Sequence, residues 1–288
     1  MFGRGRRGEA PVIQVAYVPT GFLFRDRYFT LLDLIVRNGK GVVARISELI
    51  LSRGLSIANI TTPGLVTRDM DKGRLLILVE DCDDACGSSL AEALRKELRD
   101  IVLSVDHYTA FNSYVFLRNT ILYFAHERAY VFTQGALKEG VREMYRQLSA
   151  NPGLESQVHN VLRSLGKGIG VHLYVEWNGR VEDAGGFEKY VEQGLRFLEA
   201  VYSALGLGVV KASTSDYVNY RVEITDNWEC SALREAGIQA PSSVTLGIIE
   251  GYLGKMLGRR VAASEEKHAG APGEACVFTA TALESLTD

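Results

Sequence analysis

Apolar and polar positions along the chain switch between two periods, and each switch marks an element. The run TLLDLIV (30–36) is rich in branched apolar residues, which predicts a buried strand. It breaks at Arg37-Asn38-Gly39-Lys40-Gly41, a turn whose glycines tolerate positive φ. Val42, Val43, Ile46, Leu49 and Ile50 then recur at helical spacing, and Gly54 supplies the stop. LSIANITT (55–62) and GRLLILVED (73–81) read as strands. Ser89-Leu90-Ala91-Glu92 has the pattern of a capping box, and Leu90, Leu94 and Leu98 extend it into a second helix. IVLSVDHYT (101–109) closes the set as a strand. The order βαββαβ predicts helices packed on one face of an antiparallel sheet.

The alternating stretch at 12–24 is a candidate edge strand, and 112–128 has a mixed period that leaves strand and helix open. A helix is predicted over 136–149, ended by Asn151-Pro152-Gly153, and another over 155–166, ahead of Gly166, Gly168 and Gly170. The GKGIG segment lacks the Gly-Lys-Ser/Thr ending of a phosphate loop and follows a helix rather than a strand. Residues 187–205 form an apolar helical face that stops at Gly206 and Gly208. GVVKAST follows as a strand, and Val218, Tyr220, Val222 and Ile224 then alternate with Asn219, Arg221 and Glu223. Residues 242–257 read as an apolar helix with glycines at 247, 251 and 254. Each glycine costs about 1 kcal/mol of helix propensity, so they serve close packing or make room for a ligand. VAASEEKH and CVFTATAL complete the chain as strands around AGAPGEA.

Length changes this picture little: 288 residues correspond to about two domains. The partition read from the pattern is 11–111, a connection at 112–128, and 129–283, all of α+β class. With 32 Lys+Arg against 35 Asp+Glu, the net charge of −3 offers no general attraction to nucleic acid or anionic lipid. Arg4, Arg6 and Arg7 form a small basic exception, read as a solvated terminus. No apolar run reaches the ~18 residues that would span a bilayer, and the start is not an apolar signal segment. The expected location is therefore cytoplasmic. Four cysteines do not make a disulfide framework. Asp81, Asp83 and Asp84 crowd Cys82 and Cys86 and disfavour their thiolates, so that pair is read as structural or incidental.

The stretch NGKGVVARISELILSRGLSIANI, with its glycine turn, apolar helix and Ile57-x-x-Ile60 strand, resembles the opening of an ACT regulatory domain. That resemblance implies a ferredoxin-like fold that pairs as a homodimer and often binds an amino acid. The ligand contacts would fall on Asn38, Gly41 and Val42, with the sheet edge near Asn59. A glycine turn opening a helix presents free N–H groups to a carboxylate, which suits that chemistry.

The tail GIIEGYLGKMLGRRVAASEEKHAGAPGEACVFTA, with WECSALREAGI upstream, resembles the 4-vinyl reductase domain family. Its Gly-rich helix, Gly-Arg-x-Val, Gly-Glu-x-x-Cys and final apolar strand carry the likeness. Members share an α+β fold with vesicle-tethering complex subunits. Some sense small aromatic or hydrocarbon ligands, and others are associated with tetrapyrrole vinyl reduction. By position, Tyr220, Trp228, Leu246, Tyr252 and Ala263 would line an apolar pocket. In metal-binding relatives three Cys and one Glu hold zinc, and the matching positions here are Glu265, His268 and Cys276. His in place of Cys keeps a competent zinc ligand. The fourth place falls near Ser242 or Ser243, which lack a thiolate, with Cys230 as a substitute that spacing does not require.

The function expected from these readings is ligand sensing. A small apolar or aromatic molecule would bind the C-terminal domain, and an amino acid the ACT-like domain of a homodimer with no membrane or nucleic-acid partner. The alternatives are an accessory or reductase acting on a tetrapyrrole vinyl group, and a non-catalytic assembly scaffold.

Overall fold

The computed structural model describes residues 21–23, 26–62, 69–111, 114–116, 123–124, 127–149, 153–178 and 185–283. These fall into two units, one within Gln14–Ala129 and one within Tyr130–Asp288. The fold class is α+β.

The first unit runs β1 (Gly21–Leu23), β2 (Tyr28–Arg37), α1 (Val42–Ser52), β3 (Ile57–Thr61), β4 (Lys72–Glu80), α2 (Asp84–Glu97) and β5 (Val102–Phe111). Three short strands follow, β6 (Tyr114–Phe116), β7 (Tyr123–Phe124) and β8 (Glu127–Arg128). Strands β3-β4-β2-β5 form one antiparallel sheet, the ferredoxin-like order that βαββαβ connections produce. One face packs Leu32, Leu34, Leu75, Ile77 and Val79 against Ile46, Ile50, Leu90 and Leu94 of the two helices. The other face buries Phe29, Leu31, Leu76 and Leu78. Burial on both faces explains why TLLDLIV carries apolar residues on both sides instead of alternating. Asp33 interrupts that run and is bonded by Arg74 through both carboxylate oxygens, at 2.8 and 2.6 Å.

Two readings of this unit need correction. Helix α2 begins at Asp84 rather than at the Ser89 box, because Asp83 caps it by accepting from the Cys86 N–H at 2.8 Å. Cys82 and Cys86 form a disulfide across that first turn, with Cα atoms 5.3 Å apart, inside the range a bridge spans without backbone movement. Of the 12–24 stretch, only β1 lies in the described residues, paired with β6; the rest lies outside them, as do Arg4, Arg6 and Arg7. In 112–128 the described residues form β6, β7 and β8.

The second unit runs α3 (Gln134–Ser149), α4 (Glu155–Asn178), α5 (Phe187–Ala204), β9 (Val209–Thr214), β10 (Asn219–Thr225), α6 (Trp228–Ala236), α7 (Ser243–Leu257), β11 (Val261–Lys267) and β12 (Ala275–Ala282). Its antiparallel sheet has the order β11-β12-β10-β9. Helix α4 does not stop ahead of its glycines but continues through all three to Asn178. The reason is packing. A Cβ at Gly166 or Gly170 would stand 2.0 or 2.1 Å from the Val244 or Ile248 carbonyl oxygen of α7. Gly247 and Gly251 of α7 approach the Arg163 and Lys167 carbonyls equally closely. Reciprocal glycines thus let two backbones touch, and the lost propensity is offset by the contact made between them. Arg163 of α4 locks this pair, donating to both oxygens of Glu250 on α7 and to the Ala263 carbonyl of β11. Among the described residues, no helix is long and apolar enough to cross a membrane.

Candidate metal centre

The sheet and helix α6 deliver four donor side chains to one point. Cys276 opens β12, and Cys230 sits in the first turn of α6, where Asn227 caps the helix through the Glu229 and Cys230 N–H groups. Glu265 lies near the end of β11, where the pairing with β12 shifts register between Glu265 and Lys267. In phase with buried Val261 and Ala263, the Glu265 side chain points inward, at 7% exposure, while Glu266 and Lys267 are exposed. His268 follows the strand, three residues on, and its Nδ1 lies 2.9 Å from Glu265 Oε1.

The donor atoms of Cys230, Glu265, His268 and Cys276 all lie within 4.8 Å of one another. Zinc–ligand distances of about 2.0–2.3 Å in a tetrahedron correspond to donor separations of about 3.3–3.8 Å. Once a reductant has converted the Cys230–Cys276 bond to two thiols, side-chain rotations that part the sulfurs would let the set close on such an ion. Cysteine and histidine with one carboxylate are zinc-type donors. The structure joins Cys230 and Cys276 as a disulfide, yet their Cα atoms are 7.4 Å apart, beyond the reach of a relaxed bridge. An ion between the two sulfurs suits that wider separation.

The surroundings complete the arrangement. The Ser242 N–H donates to Glu265 Oε2 at 2.8 Å, and Ser242 Oγ stands 3.2 Å from Oε1 and 3.1 Å from the Cys230 sulfur. The Ala269 N–H points at the Cys276 sulfur at 3.4 Å. N–H donors to sulfur and carboxylate hold ligands in place and stabilise their charged forms. Ser242 thus borders the cluster as a neighbour, and the structure brings Cys230, whose place spacing alone left open, beside Glu265, His268 and Cys276. Glu229, adjacent to Cys230, is buried and accepts from the Val244 and Thr245 N–H groups at the start of α7. Burial pushes its carboxyl up to about 7, against the pull of those two bonds. Its role was missed in the sequence, where only its position after a capping Asn could have signalled it.

Two of the four donor residues, Glu265 and His268, line an open cleft of about 560 Å³ together with Arg234, Ile238, Pro241 and Ala269. The five positions named for an apolar pocket lie elsewhere. Tyr220, Leu246, Tyr252 and Ala263 are buried in the core of the second unit, with Trp228 half-buried against it.

In the first unit Gly41 caps α1 in the left-handed region, φ 79°, with no side chain bonded to the helix amides. Asn38 is turned the other way, its side chain donating to the Met70 carbonyl at 2.9 Å. Val42 is half-buried, and Asn59 is exposed on edge strand β3.

The chain matches no family model. Among solved structures it is similar to the phenol-responsive sensory domain of the transcription activator PoxR with phenol. That likeness has 19% identity and a TM-score of 0.46, over 58% of this chain and 82% of that one. A trafficking protein particle complex subunit 3 from Naegleria fowleri, covalently bound to palmitic acid, is similar at 16% identity and a TM-score of 0.37, over 54% and 98%. The ligand-free regulatory subunit of aspartate kinase from Thermus thermophilus is similar at 17% identity and a TM-score of 0.24, over 32% of this chain and 56% of that one. These are partial likenesses at low identity, and the α+β class stands on the two sheets and their helices described above.

Proposed function

We propose that this chain is a ligand-responsive regulatory protein whose C-terminal unit is organised by a zinc ion and receives a small, largely apolar molecule beside it. The observation that carries the reading is the convergence of Cys230, Glu265, His268 and Cys276, with Glu265 and His268 lining a cleft. Four protein donors fill a tetrahedral zinc and keep no position open for a reacting group, so the ion serves structure. The cleft volume of about 560 Å³ suits a small molecule, and Ile238, Ala240, Pro241 and Ala269 supply apolar contacts. The ferredoxin-like unit serves regulation and self-association, with an amino acid carboxylate at the Gly41–Val42 amides as its ligand.

A thermal-shift panel of phenols, aromatic acids, fatty acids and amino acids against zinc-loaded protein tests this reading. A ligand at a hundred times its Kd adds about 2.7 kcal/mol of stability. A panel that leaves the transition unmoved throughout contradicts the proposal.

A further inference from the structure

We propose that the cleft beside the metal centre selects anions: it takes a molecule with an apolar body and one carboxylate, and Arg234 holds the carboxylate. This rests on the reading of the C-terminal unit as a small-molecule receptor, and it names the class of molecule.

Arg234 lies in the last turn of α6, half-buried, and lines the cleft. Its described contact is one long bond, Nη2 to Ser231 Oγ at 3.4 Å. Among the described residues no carboxylate lies within ion-pair distance of it. The other partly buried arginines contrast with this: Arg74 grips both oxygens of Asp33, and Arg163 both oxygens of Glu250. A guanidinium drawn into a partly apolar cleft with most of its donors free is poised for a planar acceptor from outside.

Glu265, the carboxylate that lines the cleft, does not meet that need. Its oxygens already face Ser242, His268 and the Cys230 sulfur. Neighbouring Glu235 points to Lys138 and Gln134 instead. The wall beside Arg234 is apolar, through Ile238, Pro241 and Ala269. One fork-shaped cation against an apolar wall matches a monocarboxylate with a hydrocarbon or aromatic body. Arg234 is also the single Lys or Arg of the cleft lining, which is less than a phosphate with its greater charge would call for.

Calorimetry on the zinc-loaded full chain at neutral pH, with benzoate, benzyl alcohol and acetate as probes, tests the assignment. Benzoate is expected to bind at least tenfold more tightly than benzyl alcohol, which lacks the charge, and than acetate, which lacks the ring. Arg234→Gln is expected to weaken benzoate about tenfold or more, as loss of a charge-assisted pair implies, while zinc content and thermal midpoint hold. Arg234→Lys keeps the charge without the fork and is expected to fall between. Equal affinity for benzoate and benzyl alcohol, undiminished benzoate binding in Arg234→Gln, or no benzoate binding up to about 1 mM overturns the proposal. If an uncharged compound from the wider panel still stabilises both wild type and Arg234→Gln, the receptor reading survives and the anion site does not.

Discussion

Glycines two residues apart in α4 carry opposite expectations. At Gly166 a Cβ would stand 2.0 Å from the Val244 carbonyl oxygen, which is backbone and has no rotamer to change. At Gly168 a Cβ meets nothing within 4 Å. Gly166→Ala therefore forces α4 and α7 apart by about 1 Å, and a gap of that size forfeits a quarter to a half of each contact across it. Leu173, Tyr174, Ile248 and Tyr252 belong to the core that these helices share. Overpacking of this kind costs about 3 kcal/mol, against about 1 kcal/mol regained from alanine's helix propensity. The net expectation is a loss of about 2 kcal/mol or more for Gly166→Ala and a gain of up to about 1 kcal/mol for Gly168→Ala. The assay is urea denaturation followed by tryptophan fluorescence. Both tryptophans of the chain, Trp177 and Trp228, lie in the second unit, so the signal reports that unit alone. With a slope of about 2 kcal/mol per molar urea, the two midpoints should separate by roughly 1.5 M. A Gly166→Ala midpoint at or above that of wild type would refute the claim that the helices touch through their backbones.

Three further outcomes follow from single contacts. The buried Tyr252 hydroxyl donates to the Gly194 carbonyl at 2.7 Å, so Tyr252→Phe should cost about 1–3 kcal/mol in the same denaturation assay, and a neutral result would deny that bond. Asp216 accepts from the Asn219 N–H and side-chain amide and from the Val218 N–H, which hold its carboxyl down to about 2. The folded pKa is depressed below the unfolded value of about 3.9, so its stabilisation is present above pH ~4 and lost as pH falls through ~2. An NMR titration of that carboxyl should show a midpoint near 2, and one near 4 would remove the turn from the account. Cys276→Ser should lower the thermal midpoint of protein purified with zinc and abolish the shift that chelator produces in wild type; a chelator response unchanged by the substitution would place the metal elsewhere.

The first unit could be read closely because its strands and helices announce themselves locally. TLLDLIV and GRLLILVED are buried on both faces and show it in apolar residues that do not alternate with polar ones. The glycines of α4 misled for the opposite reason. Locally they are helix breakers, and only the partner carbonyls of α7, some eighty residues on, make them necessary. Glu265, His268 and Cys276 were named together from a resemblance of the tail, and the structure brings them close, whereas Cys230 comes from a different element with no spacing constraint. Its approach depends on the Asn227 cap and on β10 pairing with β12, which period and composition do not encode. The aromatic positions show a similar limit: Tyr220 and Tyr252 read equally as pocket or core, and the described structure packs them in the core.

The central claim is that Cys230, Glu265, His268 and Cys276 form one zinc centre, and elemental analysis joined to a thiol count tests it most directly. Tag-free protein, purified under reducing conditions without chelator, should carry about one zinc per chain. Quadruple substitution of these ligands should remove it, and chelation of wild type should release two thiols at Cys230 and Cys276. Metal-free protein in which Cys230 and Cys276 remain a disulfide that resists reduction would contradict the account.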